Sequence, residues 1–64
     1  MANKHGINTT QLTFARTNIG QALDKTLQNA RYTSSSAAME ALNEAFEYLR
    51  KADYAIIRAQ NISL

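Results

Sequence analysis

Cysteine, tryptophan and proline are absent from this chain of 64 residues, and glycine occurs only twice. Without cysteine, the chain has no disulfide, no thiolate metal site and no thiol redox chemistry. Without proline, no residue forces a helix to break. A chain this short buries only about 60% of the surface that its unfolded form exposes. Its stability is therefore expected to come from well-matched helix packing and from self-association.

Long apolar runs and strong net charge are also lacking. No stretch approaches the roughly 18 consecutive apolar residues that a membrane span needs, and the N-terminus has no apolar segment after its first charge. The net charge of +2 is too small on its own to indicate nucleic-acid binding, which usually shows a clustered basic patch. These absences predict a cytoplasmic protein with no membrane association.

Side chains that support catalysis are scarce. His5 is the only histidine, and it has no neighbour at metal-ligand spacing and no partner for proton transfer. Glu40, Glu44 and Glu47 share one helix face, but the Glu-x-x-His partner of a carboxylate metal site is missing. The sequence therefore predicts a protein that is not an enzyme, with no metal, no cofactor and no small-molecule substrate.

Helical periodicity is the strongest feature that the sequence does contain. Bulky and small residues alternate at spacings of three and four along the second half of the chain, as in a packed heptad seam. This seam consists of Ala38, Leu42, Ala45, Leu49, Ala52, Ile56, Ala59 and Ser63. The first half repeats the pattern at Leu12, Ala15, Ile19, Ala22, Thr26 and Asn29. The two seams predict two helices that pack against each other.

Capping residues set the expected boundaries of these helices. Thr9 or Thr10 is the expected N-cap of the first helix, and one of the serines 34–36 is that of the second. A short loop between two amphipathic helices implies an antiparallel hairpin. The predicted segments are a flexible arm (1–8), a first helix (about 10–31), a loop (32–35) and a second helix (about 36–61). The predicted fold class is all-α, with residues 1–64 forming one helical-hairpin domain.

The two seams also predict a register. With the loop centred on the serines, residues in contact have numbers that sum to about 67 or 68. Ala22 then faces Ala45, and Ala15 faces Ala52. Small residues meet small residues, so the two helices are expected to approach closely.

This register leaves an apolar strip on one flank of the hairpin, outside the seam. The members of the strip are Leu23, Leu27, Ala30, Met39, Phe46 and Ile57. One hairpin is not expected to cover the strip, and pairing of two hairpins into a four-helix bundle would bury it. At its edge Arg16 and Asp53 fall opposite each other, either as an ion pair that sets the register or as two solvated charges.

These features favour a small non-enzymatic protein-interaction module, a regulator, adaptor or inhibitor that acts through a helical surface as a homodimer. The strip would be its protein interface. A second alternative is a structural subunit of a larger assembly.

The distribution of charge supports a different alternative, a nucleic-acid-binding hairpin. The open end collects five cations against one carboxylate, a balance of +4, and the loop end has two cations against four carboxylates, a balance of −2. A basic end would attract phosphate backbones. The candidate contacts with nucleic acid are Lys4, Arg16, Arg50, Lys51 and Arg58.

Overall fold

The computed structural model describes residues 5–62, which form two helices joined by a short connection. Helix α1 spans Thr9–Tyr32 and helix α2 spans Ser36–Ile62. The two helices pack against each other, so the predicted all-α hairpin is confirmed. Both helices extend the predicted ranges by one residue at one or both ends. Of the predicted arm, residues 1–4 lie outside the described residues, as does Ser63 of the seam.

The N-cap of α1 is Asn8, not Thr9 or Thr10 as predicted. Its Oδ1 accepts a hydrogen bond from the Gln11 amide at 3.0 Å. The Asn8 backbone is extended, with φ −93° and ψ 97°. An asparagine side chain satisfies a first-turn amide as well as a hydroxyl does, so the helix begins one residue earlier.

Residues 33–35 connect the two helices, and their backbone and side-chain atoms form hydrogen bonds that cap both helix ends. The Thr33 amide donates to the Asn29 carbonyl at 3.0 Å. Ser35 Oγ accepts from the Ala38 amide at 3.1 Å, and the Ser35 amide donates to Thr33 Oγ1 at 3.2 Å. The serine cap predicted for α2 is therefore Ser35. These bonds explain how so short a segment reverses the chain.

The seam faces the partner helix, but α2 is rotated relative to the predicted register. Phe46, Asp53, Ile57 and Gln60 are half-buried along with most of the seam, whereas Ala52 is exposed. The expectation that Ala52 makes a tight contact with Ala15 is therefore wrong. The strip side of α2 turns toward α1 because it carries the larger apolar side chains, whose burial stabilises more than that of an alanine.

The hairpin is a single layer of two helices with almost no interior. Its Cα atoms occupy 49 × 14 × 11 Å. Among the described residues only Ala30 is buried, with 7% of its surface exposed. Globular domains normally bury the apolar face of one layer against a second layer. Within this hairpin that second layer is missing.

Candidate interaction surfaces

An apolar groove lies on the strip side of the hairpin. Leu23 and Leu27 of α1 and Phe46 of α2 line it, with Thr17, Gln21 and Asp24 among its polar neighbours. Its volume is about 490 Å³ and it opens to solvent along the flank of the molecule. Three members of the predicted strip thus come together at one site, because a leucine pair at i and i+4 faces the same side of a helix.

The remaining members of the strip differ in their accessibility. Ala30 is buried within the hairpin and offers little surface to a partner, so its assignment to a protein interface stays a prediction without support from its exposure. Ile57 is half-buried, and Met39 is 40% exposed. The hairpin therefore covers part of the strip, contrary to expectation, because the three-residue connection holds the helix ends together beside Ala30. Leu23, Leu27 and Phe46 stay only half-buried.

Gly20 also lines this groove, and the space above it is open. A Cβ built on Gly20 would have no atom within 4 Å among those that could oppose it. The residue therefore makes no close helix–helix approach within the hairpin.

The ion pair between Arg16 and Asp53 is present in the structure. Arg16 Nε lies 2.9 Å from Asp53 Oδ1, and the side chains are 41% and 26% exposed. The two residue numbers sum to 69, whereas the predicted register gives contacting residues a sum of about 67 or 68. A further cross-helix bond joins Gln60 Nε2 to Thr13 Oγ1 at 3.4 Å. Arg16 is thus engaged by its own chain although its side chain stays 41% exposed, and its contact with nucleic acid stays a prediction.

A basic and aromatic patch lies on the outer face of α2. Arg50, Lys51 and Arg58 converge with Tyr54 and Glu47 around a shallow groove of about 470 Å³. Three of the five predicted nucleic-acid contacts are therefore neighbours. Lys4, a fourth, lies outside the described residues.

Tyr54 is the member of this patch that the sequence prediction missed. It belongs neither to the seam nor to the strip, and 66% of its surface is exposed. Its spacing from the neighbouring cations, Lys51 at i−3 and Arg58 at i+4, was the available signal, because such residues share a helix face. The patch that follows from this spacing is the set Arg50, Lys51, Tyr54 and Arg58, which we call the basic–aromatic patch.

Two contacts organise the surroundings of this patch. Lys51 Nζ lies 5.7 Å from the centroid of the Tyr48 ring, within the range of a cation–π interaction. Arg50 Nη1 lies 3.5 Å from Glu47 Oε1, in an exposed i,i+3 pair. In the described part of the chain, neither Lys51 nor Arg58 forms an ion pair with a carboxylate.

No three histidine or acidic side chains in residues 5–62 come together as a metal site would require. Neither helix, over its described residues, has an apolar stretch long enough to cross a bilayer.

Comparison of the chain with protein-family models, with curated proteins and with solved structures finds no match. Function must therefore be inferred from the surfaces described above.

Proposed function

We propose that the protein is a non-enzymatic interaction module that works as a homodimer, with two hairpins packed into a four-helix bundle. The observation that carries this proposal is the single-layer hairpin, in which one described residue, Ala30, is buried. A chain of this size without disulfides needs a further source of stability. A second copy supplies it by covering the groove on the strip side.

The groove has the composition expected of an interface core. It presents Leu23, Leu27 and Phe46 with polar residues around them. A standard interface buries about 800 Å² on each partner, which is roughly one sixth of the 4893 Å² accessible on this chain. One flank of a hairpin offers an area of this order. In a dimer with two-fold symmetry, the same flank serves both copies.

Charge favours an antiparallel arrangement of the two copies. Glu40, Glu44 and Glu47 lie in the N-terminal half of α2, and the whole basic–aromatic patch lies in its C-terminal half. In an antiparallel pair the acidic half of one α2 lies beside the basic half of its mate. A parallel pair would place like charges together.

The dimer is proposed to act in the cytoplasm as a regulator, adaptor or inhibitor that offers a helical surface to a protein partner. Two parallel or antiparallel hairpins present long, rigid helix faces, which suit recognition by another helix. No catalytic role is proposed, because the basic–aromatic patch and the apolar groove contain no paired acid and base.

Sedimentation velocity over a range of micromolar concentrations tests the dimer. The Phe46→Asp variant places a charge in the groove, and we expect it to sediment as a monomer with reduced helicity. Phe14→Asp is the matched control, because Phe14 is exposed on α1 and does not line the groove. We expect Phe14→Asp to remain dimeric.

The proposal fails if Phe46→Asp remains as dimeric and as helical as the unmodified chain. It also fails if the unmodified chain is a stable monomer throughout the range. Species larger than a dimer would instead favour the structural-subunit alternative.

A further inference from the structure

We propose that the basic–aromatic patch on α2 is a binding site for single-stranded nucleic acid. The proposal concerns a different surface from the apolar groove, and it applies to the single hairpin as well as to a dimer in which this surface stays exposed. It rests on the convergence of three cations with one exposed aromatic ring.

Helix geometry explains why these side chains form one surface. At about 100° and 1.5 Å per residue, positions three and four apart lie on the same face and one above the other. Lys51, Tyr54 and Arg58 follow this spacing, and Arg50 lies at the edge of their row. The patch extends along roughly 12 Å of the helix, enough to contact more than one nucleotide.

The electrostatics of the patch favour a polyanion. Three cations face one carboxylate, that of Glu47, a balance of +2. The Glu47–Arg50 pair is exposed, so water and salt screen it and it neutralises Arg50 only in part. Lys51 and Arg58 have no carboxylate partner among the described residues. Each such cation that meets a phosphate releases counterions and adds to affinity.

The aromatic residues point to a ligand with planar rings. Tyr54 and Tyr48 are 66% and 61% exposed, so neither ring has its main contacts within the hairpin. Lys51 lies beside the Tyr48 ring and lines the groove with Tyr54. Cations next to exposed rings are the elements with which proteins hold single strands, the cations binding phosphates and the rings stacking on bases.

These features distinguish a single strand from two other anionic partners. A duplex keeps its bases stacked inside and offers the patch only its phosphates, so Tyr54 would contribute little. An acidic peptide offers carboxylates to the cations. It does not present planar rings at regular spacing that could stack on Tyr54. Single-stranded nucleic acid uses both parts of the patch.

Fluorescence anisotropy with labelled 12-residue oligothymidylate and oligouridylate tests the proposal. We expect the Tyr54→Ala variant to raise Kd by at least about five-fold, the loss typical of one stacking ring. The double variant Lys51→Gln, Arg58→Gln should weaken binding and reduce the slope of log K against log salt by about 1.4.

Matched controls come from α1. Phe14→Ala removes an exposed ring of similar size, and the double variant Lys25→Gln, Arg31→Gln removes two exposed cations from α1. Both controls should leave Kd within two-fold of the unmodified chain. Circular dichroism and sedimentation of each variant separate a loss of binding from a loss of folding or of the dimer.

Binding of either oligonucleotide with these variant effects supports the proposal, and the two probes show whether DNA, RNA or both are held. The proposal is overturned if neither probe binds at low salt. It is also overturned if Tyr54→Ala leaves Kd unchanged, if a duplex of the same length binds more tightly, or if polyglutamate competes as well as the oligonucleotides.

Discussion

At the scale of the residue, the ion pair between Arg16 and Asp53 is the contact that ties the two helices at a defined register. It joins residues 37 positions apart in the chain. Its Asp53 side chain is more shielded than the groups of the exposed Glu47–Arg50 pair. Shielding from water lowers the local dielectric, so the Arg16–Asp53 pair should contribute more to the free energy of unfolding than the Glu47–Arg50 pair does.

A double-mutant cycle with Arg16→Gln and Asp53→Asn measures this contribution. We expect a coupling free energy of up to about 1 kcal/mol in low salt, decreasing as salt is added. Urea unfolding followed by circular dichroism gives the four free energies of unfolding. The cycle Arg50→Gln with Glu47→Gln serves as the control, with a smaller coupling. A coupling of zero in low salt would show that Arg16 and Asp53 do not act as a pair.

At the scale of the element, α1 and α2 differ in intrinsic helix tendency. Helix α1 contains Gly20 and several threonines, which lower its propensity. Thr13 and Thr17 reduce this cost by donating their hydroxyls to the carbonyls four residues earlier, at 3.0 and 3.1 Å. Helix α2 contains seven alanines and no glycine. Helix α1 therefore depends more on packing than α2 does.

Gly20→Ala should stabilise α1. The added methyl group meets no opposing atom within 4 Å, and alanine gains about 1 kcal/mol over glycine in a helix. We expect the free energy of unfolding to rise by about this amount in urea titrations.

Gly6→Ala is the matched control for this prediction. Its site is equally open, but Gly6 has φ 73°, where an alanine is strained by about 1–2 kcal/mol. Gly6→Ala should not stabilise the protein. If Gly20→Ala destabilised the chain only at high concentration, a second copy would lie against Gly20 in the dimer.

At the scale of the whole molecule, the hairpin lacks an interior. Two helices in a single layer, 49 Å long and 11 Å thick, leave Leu23, Leu27 and Phe46 only half-buried. When a partner completes the core, stability depends on protein concentration by mass action. A stability that depends on protein concentration distinguishes a hairpin whose core is completed by a second copy from a hairpin that is stable alone.

The thermal midpoint of unfolding should therefore rise with protein concentration. Circular dichroism melts over a hundred-fold range of concentration measure it. Phe46→Asp should remove the dependence, because the variant no longer pairs, and Phe14→Asp should keep it. A midpoint that does not change over this range would contradict the proposed homodimer.

The sequence by itself was sufficient to predict the local structure. The predicted helix bounds lie within one residue of the observed bounds, because apolar spacing and capping groups act over only a few neighbours. A cap at one of the serines 34–36 followed from the same short-range chemistry, whereas the register left open whether Arg16 and Asp53 form a pair, and the structure shows that they do. The N-cap at Asn8 was missed because three adjacent residues, 8–10, can each act as a cap.

Tertiary structure alone decided which side chains are covered. The rotation of α2 exposed Ala52, and the closeness of the helix ends at the connection buried Ala30. It also brought Arg16 into a bond with Asp53 across the two helices. The periodicity of one helix fixes its apolar side only to within a broad sector, and the summed contacts with the partner helix select the final angle.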